Sequence, residues 1–324
     1  MLIKKRRWPP SKPAHKPAPA ILEQDAYNEI LDGDVLTRLS GQFLHARQPM
    51  VGNIVGHHKS PYRGSSVEFA EYRKYVPGDD PRLLDWRVLA RTDRLYIREF
   101  EADTNLRCYI VVDCSNSMSF GEKGMRKFDY ARKIAATLSY MLVHQGDAVG
   151  LQLFDNGVAA DIPPRRNPLH LKHIFDTLAK AKTQNETGLV QELHQFAERI
   201  RQRALVIIIS DCFCDVDDLL NCFEHLHFQK HDFALFHLLD PLELDLDLDR
   251  PIRFQDMEGS DVLLAEPEII REPYLEAVRE YLQKIHEGCN KHNADYRRVS
   301  TDQPYDAILA DFLVDREMLA KGRA

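Results

Sequence analysis

From residue 107 onward, short apolar runs alternate with segments whose apolar residues recur at a helical period. Residues 107–113, 149–154, 233–239, 295–299 and the run through Ile207, Ile208 and Ile209 read as buried strands. Residues 126–144, 169–180, 216–226, 274–288 and 305–320, together with the stretch after Thr187, read as helices. In residues 126–144, Ala131, Ile134, Ala135, Leu138, Met141 and Leu142 share one face, and Gly146 follows as a C-cap. Such alternation specifies an α/β fold, a doubly wound and mostly parallel sheet covered on both faces. Residues 252–270 break the rhythm and read as an inserted β-hairpin.

Open sheets of this kind bind ligands at the carboxyl ends of their strands. There the chain places Asp113-Cys114-Ser115-Asn116-Ser117, an acid and two hydroxyls at alternate positions after an apolar strand. Ser210-Asp211 ends a second strand. Between them, Asn185-Glu186-Thr187-Gly188 leads into a helix with Leu189, Leu193, Phe196, Ala197 and Ile200 on one side. Asp113, Ser115, Ser117, Thr187 and Asp211 are hard oxygen donors of the kind Mg²⁺ prefers. Taken singly, each has a plainer reading. Ser117 or Thr187 suits a helix N-cap, and Asp211 suits a strand-end turn.

In order and element type the five residues resemble the complete metal-ion-dependent adhesion site of the von Willebrand factor type A fold. Thr187 lies 74 residues and Asp211 lies 98 residues after Asp113, a scale similar to that family's. The resemblance implies a Mg²⁺ site, with Mn²⁺ or Ca²⁺ as substitutes, whose last ligand is an acidic side chain of a client protein. A second segment, from Glu68-Phe69 through Tyr72-Arg73, Pro77-Gly78-Asp79-Asp80-Pro81-Arg82 and Asp85-Trp86 to Arg98-Glu99-Phe100-Glu101, resembles the signature of bacterial domain-of-unknown-function family fifty-eight. Both signatures together span about residues 35–315. The resemblance implies a Rossmann-like von Willebrand type A domain behind an N-terminal extension, and a MoxR-type AAA+ ATPase as partner. The chain carries no Walker A sequence, so ATP hydrolysis would belong to that partner.

The resulting organisation is a basic, proline-rich tail at 1–24, an N-terminal module at 25–104 and the main domain at 105–320. Within the module, residues 25–48 read as a helix, 49–66 as a loop containing His57-His58, 77–81 as a turn and 95–100 as a strand leading to the main sheet. Arg73, Arg82, Arg91 and Arg98 offer a partner-binding face or, with the neighbouring carboxylates, an internal ion-pair network; arginine forks favour the latter.

The net charge of −7 conceals +6 in the first 20 residues, so the remaining chain carries −13. An acidic body argues against nucleic acid. The five prolines of the first 20 residues specify an extended, disordered tail, open to peripheral contact with an anionic membrane. No apolar run is long enough for a transmembrane segment, the start lacks a signal peptide, and six cysteines without a framework spacing fit a reduced, cytoplasmic setting. Cys114 and Cys212 flank the site and read as structural thiols. Leu244–Asp249 alternates with period two and reads as a solvated acidic loop or edge strand.

A binding or scaffold role follows, without catalysis. The alternative is a Mg²⁺-dependent, phosphatase-like hydrolase with Asp113 as nucleophile. That chemistry needs a second acid where Ser115 stands.

Overall fold

A computed structural model describes residues 27, 29–47, 55–59, 68–76, 84–92, 94–101, 103–104, 106–121, 125–248, 252–255 and 262–321. In chain order the elements are α1 Gly33–Arg38, β1 Val55–Lys59, β2 Glu68–Lys74, α2 Trp86–Thr92, β3 Tyr96–Glu101 and β4 Asp103–Thr104, followed by β5 Arg107–Asp113. A 3₁₀ turn, Asn116–Ser119, precedes α3 Lys127–Gln145, β6 Ala148–Phe154, β7 Val158–Arg165 and α4 Pro168–Lys180. Then come α5 Leu189–Arg199, β8 Leu205–Ser210, α6 Val216–Phe228, β9 Asp232–Leu239 and α7 Pro241–Asp245. β10 Ile252–Gln255, β11 Val262–Ala265, α8 Pro267–Lys291, β12 Asp295–Ser300 and α9 Tyr305–Lys321 complete the chain.

Six strands form the main sheet in the order β12-β9-β8-β5-β6-β7. Every pairing is parallel except β6 with β7. The doubly wound α/β reading therefore holds. Strand β5 is buried on both faces. Cys108, Ile110 and Val112 enter one core with α3, α4 and α9. Tyr109 and Val111 enter the other, with α5, α6 and α8. The chain leaves β5 toward β6 and later returns on the other side of β5 as β8. The gap between the carboxyl ends of β5 and β8 is thus the topological switch point, where such sheets open a crevice.

The departures from expectation have local causes. β7 contains Pro163 and Pro164 and is mostly exposed, so it lacks the apolar signature of a core strand. Prolines cannot donate to a ladder, which confines them to an edge such as this one. The helix expected over 25–48 shrinks to six residues. Asp32 caps it, its carboxylate accepting from the amides of Asp34 and Val35, and Gly41 adopts φ +90° soon after its end. The surrounding apolar residues still pack into the main core, and Leu44 exchanges hydrogen bonds with the Gln145 side chain.

Residues 49–66, expected as a loop, include β1 with His57-His58. β3 does not lead directly to the main sheet; it pairs antiparallel with β2 as a separate ribbon. β10 and β11 form the expected hairpin. Among the described residues 244–248 there is no strand: Pro241–Asp245 is helical under a capping box made by Asp240 and Glu243. Gly146 ends α3 at φ +90°, as its position after the helical run implies. The basic tail and the Pro77–Pro81 turn lie outside the described residues.

Candidate metal centre

Asp113 closes β5, and its side chain is fully buried. Its Oδ1 accepts the amide of Ser115 at 2.9 Å, which folds the chain back at the strand end. Its Oδ2 accepts from Ser210 Oγ at 2.7 Å and from Thr187 Oγ1 at 3.3 Å. Ser115 and Ser117, both buried, lie with their hydroxyl oxygens 3.0 Å apart. Neither Ser117 nor Thr187 acts as a cap. The 3₁₀ turn begins after Ser115 and α5 after Gly188, and no side chain caps either start. The structure thus brings Asp113, Ser115, Ser117 and Thr187 into one hydroxyl-rich cluster.

The Thr187 loop is fixed by backbone contacts. Asn185 has φ +58°, a left-handed conformation that asparagine tolerates. Its carbonyl accepts the Asn116 amide at 2.9 Å, and its side-chain amide donates to Asp155 Oδ2 at 3.0 Å. Gly188 donates to the Asp155 carbonyl at 2.6 Å. A Cβ at residue 188 would sit 2.8 Å from that oxygen, so the approach requires glycine.

Asp211 follows β8 at the same end of the sheet and is buried. Its Oδ1 accepts the Phe213 amide at 3.4 Å, a turn contact, while its Oδ2 faces Lys127 at 2.7 Å. Burial, and then the Asp211 charge, hold the Asp113 carboxyl well above the ordinary carboxylate range against the hydrogen bonds it accepts. The two acids are therefore close enough to repel each other.

The Asp211 carbonyl accepts from His237 Nε2 at 2.9 Å, and Tyr296 Oη lies 3.0 Å from Nδ1. A carbonyl only accepts, so Nε2 carries a proton. Burial depresses the His237 pKa to about 4. Burial also pushes the Cys114 thiol up to about 12 and the Cys212 thiol well above its usual value, as befits structural rather than reactive thiols.

Three participants were not apparent in the sequence: Ser210, Lys127 and Glu243. Lys127 is the first residue of α3, and its side chain is only 2% exposed. Its ammonium donates to Asp211 Oδ2 and to Glu243 Oε1, each at 2.7 Å. Burial pulls its pKa down, but the two carboxylates outweigh burial and leave it raised. A cation at a helix N-terminus opposes the macrodipole, and that anomaly was the available signal. Beside the cluster opens a cavity of about 430 Å³, bordered by Lys127, Asp211, Glu243, Phe213, Tyr274 and Tyr281. Tyr274 Oη donates to the Glu243 carbonyl at 2.8 Å, and Tyr281 Oη donates to the Cys212 carbonyl. α8 thereby braces this wall.

Of the arginines proposed for a partner face, Arg91 lies exposed near the end of α2. Arg73 and Arg98 occupy the β2–β3 ribbon, where Arg73 pairs across from Ile97 and Arg98 from Tyr72. Arg82 is outside the described residues.

Among the described residues, no three His, Cys, Asp or Glu side chains gather as a metal cluster. The donor set here is of another kind, two buried carboxylates with three hydroxyls. Hard oxygens with mutually repelling acids fit a small divalent cation.

The fold and its switch-point cluster define a doubly wound α/β domain with an oxygen-rich crevice. By its match to the model described as protein of unknown function DUF58, over residues 71–284, the chain belongs to that family. An uncharacterised protein of Mycobacterium tuberculosis is 27% identical over 312 residues, covering 94% of this chain and 93% of that protein. YeaD of Bacillus subtilis, also uncharacterised, is 28% identical over 113 residues, covering 35% of this chain and 26% of that protein.

Among solved structures, BatB from Bacteroides thetaiotaomicron aligns with a TM-score of 0.44 at 13% identity, covering 66% of this chain and all of that one. The VWA domain of SpRpn10 aligns with a TM-score of 0.39 at 12% identity, covering 64% and 95% respectively. No helix among the described residues is long and apolar enough to cross a membrane.

Proposed function

We propose that the chain is a divalent-cation-dependent protein-binding module. Asp113, Ser115, Ser117, Thr187 and Asp211 would hold Mg²⁺, with Mn²⁺ or Ca²⁺ as substitutes. The cation would supply positive charge for an acidic side chain of a client protein. The observation that carries this reading is the burial of Asp113 at the switch point, with hydroxyls and an amide on its oxygens and a second acid beside it. Lys127 already meets Asp211, but burial and that neighbouring acid make ionising Asp113 costly unless a further cation compensates it. Phe213, two residues after Asp211 and 66% exposed, offers an apolar contact at the rim. The family resemblance adds a MoxR-type AAA+ ATPase as the working partner, in assembly, cofactor insertion or remodelling of the client.

The test is a pull-down of the ATPase and of client proteins, with Mg²⁺ titrated into wild type and Asp113→Ala, alongside turnover of a phosphomonoester. Capture that requires both Mg²⁺ and Asp113 supports the reading. Mg²⁺-dependent turnover without Mg²⁺-dependent capture would replace it with the hydrolase alternative.

A further inference from the structure

Lys127 is a cation built into the site that the proposed divalent ion would occupy. Two independent terms oppose its position. Burial disfavours its charge, and the amide dipoles at the start of α3 repel it. It is held there chiefly by Asp211 and Glu243, which it meets at equal distances of 2.7 Å, with the Phe120 ring 5.8 Å from the ammonium. The carboxylate oxygen it holds, Asp211 Oδ2, belongs to the same acid that the divalent ion needs.

The other half of the contact is anchored elsewhere. Glu243 Oε2 accepts the Asp240 amide at 2.7 Å in the α7 capping box. The α7 segment is in turn held to α8 by the Tyr274 hydrogen bond. The ammonium therefore bridges the switch point to the α7–α8 wall of the cavity. Lys127, Asp211 and Glu243 all line that cavity of about 430 Å³, so open space adjoins the contact.

We infer that Lys127 is a tethered competitor that sets the cation affinity of the site. Loading a divalent ion displaces its ammonium from Asp211 toward Glu243 and the cavity. Cation loading and the shape of the α7–α8 wall are thereby coupled through one side chain. This inference rests on the cation-dependent reading above.

The test is calorimetric titration of MgCl₂ and MnCl₂ into the full chain as wild type, Lys127→Gln and Asp113→Ala. Glutamine keeps hydrogen-bonding capacity toward both carboxylates and removes the charge. The expected result is binding at least about tenfold tighter in Lys127→Gln than in wild type, and none in Asp113→Ala. Equal or weaker binding in Lys127→Gln, with wild type binding normally, overturns the competitor and leaves the cation site standing. Absence of binding in both wild type and Lys127→Gln overturns the cation site itself.

A wild-type measurement covers the case in which the variant does not fold. Lys127 labelling by an amine-reactive reagent, read by mass spectrometry, should rise several-fold as Mg²⁺ saturates the site. An unchanged labelling rate with Mg²⁺ demonstrably bound overturns the displacement.

Discussion

Two acidic pairs sit at opposite ends of the same sheet, and the manner of their neutralisation separates scaffold from site. At the amino end, Asp232 opens β9 and Asp295 opens the adjacent β12. The fully buried Arg316 donates to both Asp232 oxygens, at 2.8 and 3.1 Å, and pairs with Asp295 at 2.6 Å. Arg47 adds its amide to Asp232 at 2.7 Å and its guanidinium to Asp295. At the carboxyl end, Lys127 reaches Asp211, while Asp113 is met by hydroxyls and an amide. A rigid guanidinium fork satisfies two acids at once, whereas an ammonium on a flexible stem is a point charge that can be exchanged. The first pair is held by a fork, and the second by a single ammonium, the arrangement that the proposed cation site requires.

The sharpest way to break this comparison is Arg316→Met. Removing the guanidinium that both buried acids share, with Arg47 left on them, should cost about 3–5 kcal/mol in denaturant unfolding, and saturating Mg²⁺ should not restore it. Restoration by Mg²⁺ would mean that the two ends are equivalent.

Acid provides the next largest effect. His237 is held neutral beneath Asp211, its pKa depressed by burial from 6.5 to about 4. Its stabilising contribution is complete above pH 6.5 and falls as pH drops toward 4, because the unfolded chain takes up the proton first. The loss from this group amounts to about 3 kcal/mol. His237→Gln should flatten that part of the stability profile, and an unchanged acid limb would place the titration elsewhere.

Asp113→Asn should act in the opposite sense from an ordinary core substitution. The folded Asp113 carboxyl lies above the ordinary range, so its contribution to cation-free stability is lost as pH rises beyond that range. Removing the charge while keeping the shape should stabilise the cation-free protein at neutral pH by about 1 kcal/mol. Destabilisation under those conditions would show that Asp113 is neutralised as fully as Asp232.

The sheet was legible because buried parallel strands such as residues 205–210 are continuous apolar runs, and because Gly146 marks a helix end. β7 was not legible, since an exposed edge strand with two prolines carries neither alternation nor an apolar run. The clustering of Asp113, Ser115, Ser117 and Thr187 could be anticipated because each falls where a strand or loop meets a helix. Their environment could not. Lys127 meets Asp211 across 84 residues and Glu243 across 116, and only the folded topology makes such partners neighbours. Two local signals did exist: a lysine at the first position of a helix, and the Asp240-Pro241-Leu242-Glu243 capping sequence that fixes Glu243 in place.

The most direct test of the central claim is the thermal unfolding midpoint of wild type and Asp113→Asn, each with and without Mg²⁺. Mass action predicts that Mg²⁺ at about 100 times its dissociation constant adds about 2.7 kcal/mol to wild type. It should add nothing to the variant. Equal shifts in both proteins, or no shift in wild type, would contradict a cation site built on Asp113.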